Sequence, residues 1–159
     1  MKLNLKQIQA VDILLQKLNS NYHYVPNTQQ LNLVIKIDNS LWKGNLIQYK
    51  DYRIYNYYID YDSLIESYGY SQNQIFNLPN DFNLKKYASI KLDTMYLLLE
   101  ELISIVKKID TYLIDLTPIL FNAVNLKDNF QLPYFLLNPN DEFEIVSVIS
   151  TTIDECTHS

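Results

Sequence analysis

Three carboxylates stand among aromatic rings in the middle of the chain. Asp60, Asp62 and Glu66 are interleaved with Tyr57, Tyr58, Tyr61, Tyr68 and Tyr70. Carboxylates beside aromatic platforms suit carbohydrate sites, where rings stack on sugars and carboxyl groups exchange protons. The same residues suit a protein-binding face, because tyrosine offers an apolar ring and a polar tip. A plainer use is also open: rings covering a core, with Asp60 and Asp62 solvated at a strand end. Eight of the fourteen tyrosines fall between Tyr49 and Tyr70, so the cluster is local, beyond the general richness of the chain in tyrosine.

Other chemistries lack their residues. Gly44 and Gly69 are the only glycines, so neither a P-loop nor a dinucleotide fingerprint can be written in this chain. The histidines are His23 and His158 and the single cysteine is Cys156, too few for a structural zinc site. Cys156 and His158 stand two apart near the end, where no scaffold holds them as a nucleophile and its base. His23, between Tyr22 and Tyr24, reads as a surface or packing residue. No cofactor and no metal is expected.

Charge narrows the partners. The 159 residues carry a net charge of −5, and Arg53 is the sole arginine. Nucleic-acid binders show basic patches with arginine forks, so direct DNA or RNA binding is not expected. An acidic chain fits a basic protein surface better. Acidic mimicry of nucleic acid matches the sign of the charge, although −5 is modest and lysines are interspersed. One cysteine rules out an internal disulfide and fits a reducing compartment. The first residues, MKLNLKQIQAVDILLQKLN, contain no signal-peptide core. The richest apolar stretch, Met95 to Leu116, includes Glu100, Glu101, Lys107, Lys108, Asp110 and Asp115, which is too polar for a bilayer. The expected location is the cytoplasm.

The elements that would position these residues follow from periodicity. Ile8, Val11, Leu15 and Leu18 predict an amphipathic helix over 5–18, ended by Asn19-Ser20-Asn21. Leu31, Leu33, Ile35 and Ile37 alternate as a strand. Asp38-Asn39-Ser40 is a turn, and 41–49 is the return strand, with Gly44 as a bulge or tight bend. Residues 52–61 alternate again, which predicts a three-strand antiparallel meander over about 31–61. One face of its last strand would carry Tyr55, Tyr57 and Tyr61, and the other Asn56, Tyr58 and Asp60. Residues 62–68 read as a short helix, and 69–82 as an irregular loop.

Thr94 to Leu116 is the clearest helix. Met95, Leu98, Leu102, Ile105, Ile109, Tyr112 and Leu116 form one stripe, and Leu99, Ile103, Val106 and Leu113 an adjoining one. An arc this wide packs on a sheet and a second helix together. A homodimer through this helix is its other use. Thr117-Pro118 reads as a stop or as a fresh cap, with a short helix running to Leu126. Phe130 to Leu137 is an edge strand or connector, because it holds Pro133. Over 140–153 a capping box at Asp141 and Glu144 competes with a β-branched strand, and the strand is preferred. Trp42 is a core anchor or an exposed hot spot.

The sequence thus predicts an α+β fold in one domain over 1–153, with a loose tail over 154–159. An N-terminal helix, the meander and a long central helix on the sheet precede a mixed C-terminal segment. The expected function is a small acidic non-enzymatic module that binds another protein, as an adaptor, inhibitor, immunity-type protein or accessory subunit. The candidate binding residues are Tyr52, Tyr55, Tyr57, Tyr58, Asp60, Tyr61 and Asp62. The alternatives are a glycan-binding or hydrolytic protein using Asp62 and Glu66, and an acidic mimic of nucleic acid.

Overall fold

The computed structural model describes residues 2–26, 28–46, 90–108 and 118–152. They form an α+β fold of one six-stranded antiparallel sheet and two helices. β1 (Lys2–Asn4) leads directly into α1 (Leu5–Tyr22), followed by β2 (Gln29–Ile37) and β3 (Ser40–Asn45). A 3-10 turn (Leu92–Thr94) opens α2 (Met95–Lys108), and β4 (Ile119–Asn125), β5 (Gln131–Leu136) and β6 (Glu142–Thr152) complete the sheet. The strand order is β1-β6-β2-β3-β4-β5.

α1 starts on a capping box. The Gln7 N–H donates to Asn4 Oδ1 and the Asn4 N–H donates to Gln7 Oε1, each at 2.9 Å. The helix runs past Asn19-Ser20-Asn21, the expected stop, to Tyr22. It ends at His23, which takes the left-handed conformation (φ 53°) and donates its N–H to the Asn19 carbonyl. Glycine usually fills such a position. In this glycine-poor chain His23, Asp38, Asn122 and Asn129 hold the positive-φ sites instead, drawn from the side chains that tolerate that region best. α2 follows its predicted stripes: Met95, Leu98, Leu99, Leu102, Ile103, Ile105 and Val106 are all buried. The two helices pack on each other and on the face of the sheet that presents Leu31, Leu33, Ile35 and Phe143.

The β2–β3 hairpin matches its prediction, with Ile37 paired to Ser40 and Leu33 to Gly44. The meander does not. β6 flanks β2 and β4 flanks β3, so C-terminal strands fill both places beside the hairpin; residues 52–61 lie outside the described ones. Residues 119–125 form a strand and not the expected short helix, and Pro118 stands at its entry. Asp141 and Glu144 form no capping box, because β6 begins at Glu142 and is a strand throughout. Among the described strands β5 stands at the edge, as Pro133 implied.

A crease crosses three strands. The β3–β4 register shifts between Lys43 and Asn45, at Gly44. A Cβ on Gly44 would come within 2.8 Å of both Leu120 Cγ and the Phe121 carbonyl oxygen, so the close approach of β4 requires glycine. Beside it Asn122 takes φ 53°, and the β4–β5 register sets Asn122 opposite Pro133. The irregularity expected at Gly44 is therefore shared by all three strands.

Candidate functional site

Two regions stand out by their chemistry. The first is a polar node inside the protein. Asp12 is fully buried on α1, and Gln16, Gln30, Asn32 and Asn45 are buried with it. Asp12 Oδ2 accepts the Leu46 N–H at 2.7 Å, and Oδ1 accepts Gln16 Nε2 at 3.1 Å. Gln16 Nε2 also donates to the Leu31 carbonyl at 2.9 Å, and Asn45 Nδ2 donates to the same oxygen at 3.0 Å. Gln30 Nε2 reaches Asn45 Oδ1 at 3.2 Å. Continuing the β2–β3 register sets Leu46 opposite Leu31. Side chains from α1 thus meet the backbone where the ladder runs out, as buried peptide groups require.

Burial pushes the Asp12 carboxyl up to about 6, against the pull of its bonds from Leu46 and Gln16. A carboxyl poised there has the affinity of a general acid or base. Its side chain has no exposed surface, so no substrate atom reaches it. The node is a tie between helix and sheet. Gln30 Oε1 is its one buried acceptor with no partner among the described residues.

The second region is apolar and outside. On β5 Tyr134 is 56% exposed and Leu136 75%, and Phe130, just before the strand, is 55% exposed. Alternation along the ladder explains the split. Leu120 and Phe135 face the core, where Phe135 lies 4.5 Å from the Trp42 ring, centroid to centroid. Phe121 and Tyr134 face the other way and meet edge to face at 5.8 Å. Trp42 is buried, so it is the core anchor of the two uses foreseen for it.

Between β1, β6 and the β2–β3 turn runs an open cleft lined by Lys2, Lys36, Asp38, Asp141, Glu142 and Glu144. Four carboxylates against two lysines make it acidic. Among the described residues, no group of three His, Cys, Asp or Glu side chains is placed to hold a metal ion. No described helix is long and apolar enough to cross a membrane.

Compared with known protein families, with curated proteins and with solved structures, the chain matches none.

The residues singled out in the sequence are distributed as follows. Tyr52, Tyr55, Tyr57, Tyr58, Asp60, Tyr61, Asp62 and Glu66 lie outside the described residues, as do Cys156 and His158. His23 is an exposed helix cap. Glu100 and Glu101 sit on the wet face of α2. The node was not anticipated. Its signal was present in α1, where Gln9, Asp12 and Gln16 interrupt an otherwise apolar run from Ile8 to Gln16, all of it buried. A helix buried all round should carry polar residues only where partners await them.

Proposed function

We propose that the protein is an acidic, non-enzymatic module that binds another protein through an apolar surface on β4 and β5. The exposure of Leu136, together with Tyr134 and Phe130, carries this reading. Tyr134 and Leu136, two apart on β5, share one face, and exposed apolar side chains gathered in this way mark interaction surfaces, where aromatic residues are favoured. Among the described residues, the one buried carboxyl of unusual affinity is tied to the backbone, which speaks against acid–base work at Asp12. The tyrosine-rich segment, with Tyr52, Tyr55, Tyr57, Tyr58, Asp60, Tyr61 and Asp62, is proposed as a second part of the recognition surface. The acidic cleft near Glu142 would steer a basic partner, setting association rate and specificity more than affinity.

Among the described residues of α2, Met95, Leu98, Leu102 and Ile105 are buried, and Tyr96 and Leu97 are exposed.

The test is capture from the native host with immobilised wild type, a Tyr134→Ser/Leu136→Ser variant and a Tyr55/Tyr57/Tyr61→Ala variant, followed by titration with the purified partner. Weaker binding by either folded variant supports the reading. Equal affinity for all three overturns it.

A further inference from the structure

Among the described strands β5 pairs with β4 alone, and no described strand covers its outer edge. Natural sheets protect such edges with short strands, charges, proline or bulges. The opposite edge follows that rule, for β1 is only three residues long and carries Lys2. β5 does not. Phe130 to Leu137 holds no charged residue, in a chain of net charge −5.

Its one protective feature is Pro133, and the ladder shows which backbone groups beyond it face outward. The Leu137 N–H donates to the Pro118 carbonyl at 2.8 Å, so Leu137 directs its backbone groups towards β4. Backbone groups alternate along an antiparallel strand. Phe135 therefore shares the direction of Leu137, while Tyr134 and Leu136 direct their N–H and C=O groups outward; the Asn125 N–H donates to the Phe130 carbonyl at 2.8 Å, so the alternation resets at Asn122 and Pro133. The outer edge at 134–136 keeps its full set of donors and acceptors.

We infer that this edge pairs with the same edge of a second copy, in a two-fold antiparallel arrangement that sets Tyr134 against Leu136 of the copy. This deepens the protein-binding reading by naming a partner for that surface, and it rests on that reading. In this register Phe135 lies on the two-fold axis. Tyr134 and Leu136 each exchange both backbone hydrogen bonds with the copy, which gives four in all. A two-fold interface brings one patch against itself, so the patch must suit itself. Two copies of a chain of net charge −5 repel each other overall. The uncharged stretch from 130 to 137 is where two copies meet without opposing like charges, and its exposed rings and Leu136 leave water together.

Sedimentation equilibrium of the full chain over a concentration series tests the inference. Wild type should show a reversible dimer. Leu136→Lys places a charge on the edge, and Leu136→Pro removes an outward donor without touching the β4 ladder. Both should be monomers with a wild-type melting temperature. Val146→Lys, on the exposed bulge of β6, should remain dimeric. Hydrogen exchange on wild type gives a measure independent of variants: the Tyr134 and Leu136 amides should become protected as concentration rises. A monomeric wild type, or a dimer with unprotected 134 and 136 amides, overturns the inference. If wild type is monomeric and Tyr134→Ser/Leu136→Ser still weakens a different partner, the protein-binding reading stands and only the self-pairing falls.

Discussion

Asp12 and Leu136 each occupy a place their chemistry disfavours. A carboxylate sits at zero exposure, and a leucine side chain stands three-quarters in water. The difference lies in what surrounds them. Around Asp12 hydrogen-bond donors are supplied by Leu46 and Gln16, so part of the cost of burial is met within the chain. Around Leu136 nothing in the described chain offsets the exposure, which forgoes about 2 kcal/mol of available burial. A fold that satisfies a buried acid while leaving an edge of rings and leucine wet places its unsettled energy at that edge. The interior anomaly serves stability, and the exterior one is available to a partner.

The largest effects should come from the interior. Asp12→Ala removes the acceptor of both Leu46 and Gln16, and should lower stability by roughly 2–4 kcal/mol in urea titration. A loss below that of a surface substitution would remove the node from the structural account.

The pH dependence of that loss sharpens the contrast. In the unfolded chain Asp12 titrates near 3.8, and in the folded chain near 6. Between those values the folded state holds a proton that the unfolded state has released. The contribution of the neutral carboxyl is therefore fully present below 3.8 and is lost as pH rises through 6. Across that interval it amounts to roughly 3 kcal/mol at most. Asp12→Asn should remove this slope, read as the wild-type minus variant difference in unfolding free energy. An unchanged slope would assign the titration to another group.

Gly44→Ala comes next. It forces a methyl group against Leu120 and the Phe121 carbonyl, and should cost about 1–3 kcal/mol by thermal unfolding. The smallest effect belongs to the exterior. Leu136→Ser should change monomer stability by less than about 0.5 kcal/mol, while it weakens association. A large loss of monomer stability there would make Leu136 part of the core, and the contrast with Asp12 would collapse.

Local patterns in the sequence carried much of this fold. The stripe of α2, the alternation of Leu31, Leu33 and Ile35, the irregularity at Gly44 and the edge role of Pro133 each depend on a few neighbouring residues, and each is present in the structure. What failed was non-local. Nothing near Leu31 announces that its neighbour is Ser150, and nothing near Leu3 announces Phe143. The meander was the shortest connection, and β4 and β6 displaced it by pairing across long separations. β4 itself was misread because Thr117-Pro118 imitates a helix start, whereas the strand is held by Trp42, Lys43 and the whole of β5. Asp12 was passed over for a similar reason. A single acid in a helix reads as solvated until Leu46, thirty-four positions away, supplies its donor.

The place of β6 has a consequence for how the chain is made. This strand, the last of the described ones, lies between β1 and β2, so two earlier strands wait for it. Ribosomes extend chains at roughly 5–20 residues per second. For several seconds a nascent chain would hold the apolar edge of β2 without its neighbour, in the state where chaperones act. Closure of the sheet thus reports that translation has passed residue 152, and a ribosome that stalls before β6 releases a chain whose first strands have nothing to close on.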